Sequence, residues 1–551
     1  MGKNHFRVAM LLVAGTFLFA GADPGLGQEL LPSGTRSRTG TARPRQNVPH
    51  QVIRPVSAEV PEFDETCRSA ATDYAPGADA QTDAADSQNE KNPLELEQRV
   101  NALEGELLRL RQSQKSETFF ASDGAAADAQ AAATASVDAE VADLQKQFKA
   151  FKDGLAAKKY PTLEVHGVFQ ADTGWFGQDD ASLASVSDIQ DGSSFRRARL
   201  SANGSVTENM NYFFQMDFAF PGRPTFTDVW MELVKIPGIG AVRLGQWKQP
   251  FSLEVVSSFR YTTFAERSVL FQAFDPFRHI ALGFYNNSAN ERMTWAGSVY
   301  RPGNDQFGGS IGDNGNYAGV GRMTALPYYC DTEDGANYLH LGAGYNYVAP
   351  QNRLARFRTV PEYFVGEVGG GAVGTAGQAA NGVVNGTPFF VDTAAFGVNN
   401  YQLIGSELLW VCGPLSLQTE AQYLFAKRTN DKSAGFPGMY AQVGYFLTGE
   451  HRPYNKQAGA IDRIKPFYSL WAQGERGCGW GAWELAGRYS TINLNDEDIR
   501  GGRLTDLTLG LNWYLNAYSK LQFNYIHAFL NNPTVGPSNT DIVGLRAQVD
   551  F

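Results

Sequence analysis

The chain has 551 residues, of which 43% are hydrophobic, 12% aromatic and 19% charged, with a formal net charge of -10. Residues 158–551 carry 31 basic and 35 acidic side chains, so bulk charge gives nucleic-acid binding no support. No internal stretch approaches the roughly 20 apolar residues of a membrane-spanning helix, so a membrane could be crossed only by a closed barrel.

The opening MGKNHFRVAMLLVAGTFLFAGAD carries Lys3 and Arg7, an apolar core from Val8 to Phe19, and Ala20 and Ala22 in an A-x-A arrangement. This pattern predicts an export signal over residues 1–22. Residues 23–92, rich in Ala, Asp, Pro, Ser, Thr and Gln, read as disordered. Within 93–157, Leu96, Val100, Leu103, Leu107 and Leu110 recur at heptad spacing. After an alanine-rich spacer the pattern returns at Val137, Val141, Leu144, Phe148, Phe151 and Leu155, which predicts a self-associating coiled coil in the periplasm.

From Tyr160 the period changes to two. Leu163, Val165 and Phe169 fall opposite Glu164, His166, Gln170 and Asp172, and Tyr212, Phe214, Met216, Phe218 and Phe220 fall opposite Asn211, Gln215 and Asp217. The dyad recurs at 417–425 and 505–515, and again in the terminal DIVGLRAQVDF. Polar residues on one face of every strand, with aromatics near the ends of the other face, fit a lipid-embedded barrel around water. Tight turns are expected at 237–240, 412–415 and 515–519 on one rim, with longer loops on the other. Strand candidates lie near 161–173, 193–204, 209–220, 225–235, 240–248, 278–286, 293–301, 317–326, 336–347, 400–411, 415–427, 437–448, 479–490, 503–514, 518–528 and 541–551. The expected fold class is all-β, a 16-stranded antiparallel transmembrane β-barrel over 158–551 behind a disordered and coiled-coil N-terminal region. Its lumen is too wide for side chains alone to fill.

RLGQWKQPFSLE (243–254), TTFAERS (262–268), FLTGEHRPYNK (446–456), GAWELAGRYSTINLND (481–496) and GGRLTDLTLGLNWYLN (501–516), with the terminal Phe551, resemble the phosphate-selective porin O and P family of bacterial outer membranes. The resemblance implies a homotrimer of 16-stranded barrels in outer-membrane lipid. It also implies passive diffusion of small anions such as phosphate, favoured by lysines and arginines at the constriction and along a basic ladder. Two other functions stay open: a weakly selective general porin, given the near balance of charge, and an envelope anchor that uses the coiled coil.

Residues 249–277 are too long and too apolar for a structureless surface loop, which predicts that they fold into the lumen. Pro250 ends the preceding strand. Lys248, Arg260 and Arg267 stand at or within this loop, together with Glu254 and Glu266 as candidate ion-pair partners. A charge on the lipid face near mid-membrane costs about 2–4 kcal/mol, so dyad parity turns Arg197, Arg199, Arg243, Arg488 and Arg546 into the lumen. Asp217, Asp228, Glu232, Glu420 and Glu484 face the same way, so pairing across the wall competes with solute contact for each arginine. Lys248 shares the parity of the lipid-facing Val242 and Leu244, so a lumen role for it requires a twist or bulge in the strand. RLARFR (353–358) lies in a long outer loop, as part of a basic funnel or simply solvated.

No Ser/His/Asp set, phosphate-cradling glycine motif or metal-ligand cluster stands out, so neither catalysis nor a cofactor is expected. Cys67, Cys330, Cys412 and Cys478 lack metal-ligand spacing and leave any disulfide pairing open.

Overall fold

The computed structural model describes residues 160–219, 224–303, 317–332, 335–366, 386–471 and 476–551. The expected signal, disordered stretch and coiled coil lie outside the described residues.

Sixteen strands form the wall: β1 Glu164–Gln178, β2 Gly192–Thr207, β3 Met210–Asp217, β4 Thr225–Ile236, β5 Gly240–Lys248, β6 Arg278–Asn287, β7 Met293–Tyr300, β8 Ala318–Thr332, β9 Gly335–Val348, β10 Phe396–Cys412, β11 Leu415–Arg428, β12 Ser433–Phe446, β13 Ala482–Asp496, β14 Ile499–Asn516, β15 Ser519–Asn532 and β16 Gly536–Asp550. Each strand pairs antiparallel with its chain neighbours, and β16 closes on β1 from Asp550 opposite Val168 to Thr540 opposite Gln178. Beyond β16, the backbone of Phe551 exchanges two 3.1 Å hydrogen bonds with Gly167, which completes the seam. Closure leaves no sheet edge, the condition for strands in lipid.

The dyad is visible in β16, where Arg546 and Gln548 are buried while Leu545 and Val549 are 39% and 49% exposed on the outer face. Several strands run further than alternation indicates: β10 begins at Phe396 rather than near 400, β14 at Ile499 rather than 503, and β16 at Gly536 rather than 541. Their extra residues include Arg500, Asn399 and Asn539, polar on both faces, so backbone pairing continues where the two-residue hydrophobic period has faded.

The rim that holds the start of β1 and the end of β16 carries the expected tight turns, at 237–239, 413–414 and 517–518. The opposite rim carries 249–277 and 349–395 but also connections as short as 429–432, 497–498 and 533–535, so the expected contrast between the rims is only partial. The largest departure is residues 447–481, a long connection from β12 to β13 on the tight-turn rim. It turns inward: the Tyr338 hydroxyl on β9 donates to the Arg452 carbonyl at 2.9 Å, and Arg322 on β8 donates to the Gly459 carbonyl at 2.8 Å. The buried guanidinium of Arg452 in this segment, paired with Glu484 of β13, explains a reentrant course that hydrophobic periodicity does not register. Among the described residues, Cys330 and Cys412 form no disulfide.

The wall also offers sockets for what enters the lumen. Phe251, just after the end of β5, lies against Gly344 of β9 and Gly405 of β10; side chains there would bring a Cβ to 2.7 and 2.8 Å from its ring. Only glycine on both strands leaves room for that fully buried phenylalanine. Gly405→Val is therefore expected to unseat Phe251, cost about 1–3 kcal/mol and raise single-channel conductance. Urea midpoints of the folded barrel and planar-bilayer recordings check both outcomes.

Candidate functional site in the barrel lumen

Beyond the helix α1 Asp180–Val186 that joins β1 to β2, residues 249–277 cross the lumen as two short helices, α2 Leu253–Val256 and α3 Val269–Phe274, joined by irregular chain. Wall side chains of opposite charge hold α2 at both ends. Glu420 of β11 accepts from the backbone N–H groups of Leu253 and Glu254 at 3.2 and 2.9 Å. At the other end Lys248 donates to the carbonyls of Val255, Val256 and Ser257 at 2.6, 3.0 and 3.0 Å. These are the orphan donors and acceptors of a single helical turn, and the charges match the helix dipole. Lys248 reaches them because Gly245, at φ +133°, breaks the alternation of β5: Leu244 still faces lipid, whereas Gln246 and Trp247 are both buried.

A second inserted segment comes from 349–395. Glu362 accepts from Arg488 Nε at 2.7 Å, Ser490 at 2.6 Å and Thr508 at 2.6 Å, and its N–H donates to Asp506 at 3.0 Å. Arg488 also donates to Glu254 at 3.2 Å and to the Glu266 carbonyl at 3.0 Å, so one β13 guanidinium ties both inserted loops to the wall. The third segment, 447–481, meets the first where Ile461 N–H donates to Ser257 Oγ at 3.1 Å.

The other sequence-derived residues fall into two groups. Arg197, Arg199 and Arg260 converge on the Phe259 ring, with guanidinium carbons 4.4, 4.7 and 5.9 Å from its centroid. Arg197 donates to Gln170 at 2.6 Å, Arg199 to Asp217 at 2.7 Å, and Arg260 stands 3.8 Å from Asp550. One nitrogen of each, Arg197 Nε, Arg199 Nη1 and Arg260 Nε, is buried without a hydrogen-bond partner. Arg546 adjoins this group through Glu266, at 2.5 Å, and through Asp172, at 2.7 and 2.6 Å. The second group lies elsewhere: Arg243 pairs with Glu232 at 2.7 Å over the Trp230 ring, while Arg267 donates to the carbonyls of Glu254 and Ser257 at 2.7 and 3.2 Å. In 353–358, Arg356 pairs with Asp392 at 2.8 Å, Arg358 lies 4.0 Å over Phe389, and Phe357 is buried between them.

Sequence reasoning missed Arg196. Parity sends it to lipid, but the β1–β2 register shifts between Gln170 and Ala171, and this bulge turns Arg196 inward to grip Glu266 at 2.9 and 3.1 Å. The adjacent arginines of FRRARL were the available signal. Glu266 sits on the inserted loop rather than on a strand. Burial favours its protonated form, but Arg196, Arg197 and Arg546 outweigh that and hold the carboxyl below the usual glutamate range. Arg452 and Glu362 were also missed, because they lie on inserted segments that the dyad does not describe, as was Arg322 of β8, which pairs with Glu407 of β10 and donates to the Gly459 carbonyl of an inserted segment.

The profile of the family described as phosphate-selective porin O and P matches residues 164–551. Porin O of Pseudomonas aeruginosa is 25% identical over 457 residues, covering 79% of this chain and 98% of that protein. A Caulobacter vibrioides protein is 25% identical over 413 residues, covering 71% and 74%. Among solved structures, the anion-selective porin from Comamonas acidovorans is similar at 13% identity and a TM-score of 0.43, over 71% of this chain and 99% of that one.

Arg488→Ala would leave Glu254 and Glu362 buried without their shared cation, a loss of about 3–5 kcal/mol. It is expected to make both 249–277 and 349–395 sensitive to protease, and Arg488→Lys should not rescue, since an ammonium cannot reproduce the fork geometry. Docking through Glu266 is stabilising above the unfolded glutamate pKa and is lost as pH falls through the depressed folded value. Conductance should therefore hold to about pH 5 and change only in stronger acid.

Proposed function

Because the chain belongs to the phosphate-selective porin O and P family, we propose that this outer-membrane porin passes small hydrophilic solutes by passive diffusion and prefers anions, phosphate among them. The observation that carries the preference is the group around Phe259. Three guanidiniums share one aromatic ring there, and each keeps a buried N–H without an acceptor. An unmet buried donor on a cation is unfavourable in isolation, and an oxyanion at the ring would satisfy it. Within a narrowed, low-dielectric lumen such fixed charge attracts an anion more strongly than it would in bulk water, and high salt weakens the attraction. Arg197, Arg199 and Arg260 are then the contact residues. Arg196 and Arg546 position Glu266 beside them, while Lys248, Arg267 and Arg488 hold the loops that narrow the path. Assembly as a homotrimer belongs to the same reading and is supported by the heptad seam in 93–157.

A weakly selective general porin is the second reading, favoured by the pairing of Arg243, Arg488 and Arg546 with carboxylates. Reversal potentials across a salt gradient in planar bilayers separate the two. Anion preference is expected in the native channel and should fall in the double variant Arg197→Gln/Arg199→Gln. Lys248→Met should keep the native reversal potential while loosening the inserted loop, seen as current noise. Cation preference in the native channel would sink the proposal.

A further inference from the structure

A cavity of about 220 Å³ lies on the β4–β8 side of the lumen, bounded by the inserted loop at Pro250 and Val256 and by Ala458 and Ala460 of the 447–481 segment. It is roughly the volume of seven liquid waters, at about 30 Å³ each, more than a tetrahedral oxyanion fills. We propose that this cavity is a resting site for a neutral polyhydroxylated solute of monosaccharide size, distinct in chemistry from the anion site at Phe259. The inference rests on the reading of the lumen as an open diffusion path.

The lining argues for that class. The three cations of the lining already have strong partners: Lys248 is held by three carbonyls, Arg243 donates twice to Glu232 Oε1, at 3.0 and 2.7 Å, and Arg322 donates to both Glu407 oxygens, at 2.8 and 2.7 Å, and to the Gly459 carbonyl at 2.8 Å. Asp228 also lines the cavity, its Oδ2 accepting from Arg278 at 2.9 and 2.7 Å. A carboxylate offers about four acceptor positions, so Asp228 retains capacity that would repel phosphate and receive a hydroxyl. The Tyr285 oxygen accepts from Trp247 Nε1, which leaves the phenolic proton as a donor. Donor and acceptor thus stand together, as a hydroxyl group requires. Tyr285 and Trp247, with Pro250 and Val256, supply an apolar surface for the C–H face of a sugar ring. The Phe259 group lacks this balance, since its unmet groups are all cationic donors.

The experiment uses the full-length porin in planar bilayers, with KCl carrying the current and D-glucose as the probe. Saturable reduction of current by glucose is expected. The half-saturating concentration should rise about tenfold in Tyr285→Ala and in Asp228→Asn, with KCl conductance and reversal potential kept in both. A fall in current no greater than the added viscosity explains, or a saturable block identical in both variants, would overturn the sugar site and leave the porin reading intact. Absence of KCl conductance in the native protein would overturn both together.

Discussion

Arg488 is the point at which the wall and two inserted loops meet, and the narrowing of the lumen depends on it. A buried charge is costly unless it is paired and hydrogen-bonded. The guanidinium of Arg488 donates to Glu362 from one loop and to Glu254 from the other, and also donates to the Glu266 carbonyl. Neither loop can leave alone without stranding a charge on the other. The same rule holds around the lumen: Arg546 with Glu266, Lys248 and Glu420 on the two ends of α2, and Arg452 of the 447–481 segment with Glu484. Pairing of loop with wall turns a barrel too wide to discriminate into one with defined narrow passages.

The wall was legible in the sequence because a strand between lipid and water has a period of two, and the alternation of β16 or β14 needs no partner to be read. What fills the barrel was legible only at its start. Pro250 and the apolar composition of 249–277 announced an inward loop, but nothing local to Lys248 says that its ammonium would meet three carbonyls seven to nine residues later. Arg196 shows the limit on the wall itself: one bulge reverses parity, and the bulge follows from a register with β1 that cannot be read from β2 alone. The 447–481 segment was the least legible, because its course is fixed by Tyr338, Arg322 and Ser257, all remote in sequence.

Glycine positions carried information that alternation treats as blank. Gly510, which shares the parity of the buried Thr508 and Asn512 on β14, lies under Phe264 of the inserted loop, where a Cβ would stand 2.9 Å from the ring. With Gly344 and Gly405 beneath Phe251, the pattern is consistent: the wall omits a side chain where a loop aromatic docks. Such sockets give the loop apolar contact that a wall of arginines and carboxylates cannot, and they fix its position along the axis, whereas ion pairs between long side chains tolerate sliding.

These contacts divide the lumen electrically. Arg196, Arg197, Arg199, Arg260 and Arg546 gather beside β1, β2 and β16, where Asp172, Asp217, Glu266 and Asp550 do not fully balance them. Across the lumen, β10, β11 and β13 bury Glu407, Glu420 and Glu484, with Arg322 and Arg452 as their cations. Much of that acidic side is occupied in holding loops: Glu420 caps α2 and Glu484 binds Arg452, so its negative charge is largely engaged by protein donors. The basic side keeps three unmet N–H groups around one ring, on Arg197, Arg199 and Arg260, whereas the cations Arg322 and Arg452 of the acidic side keep one between them, Arg452 Nε. The proposed selectivity therefore need not appear in the charge of residues 158–551, which is close to balanced at 31 basic and 35 acidic side chains; it depends on which hydrogen-bonding capacity is left after the loops have docked.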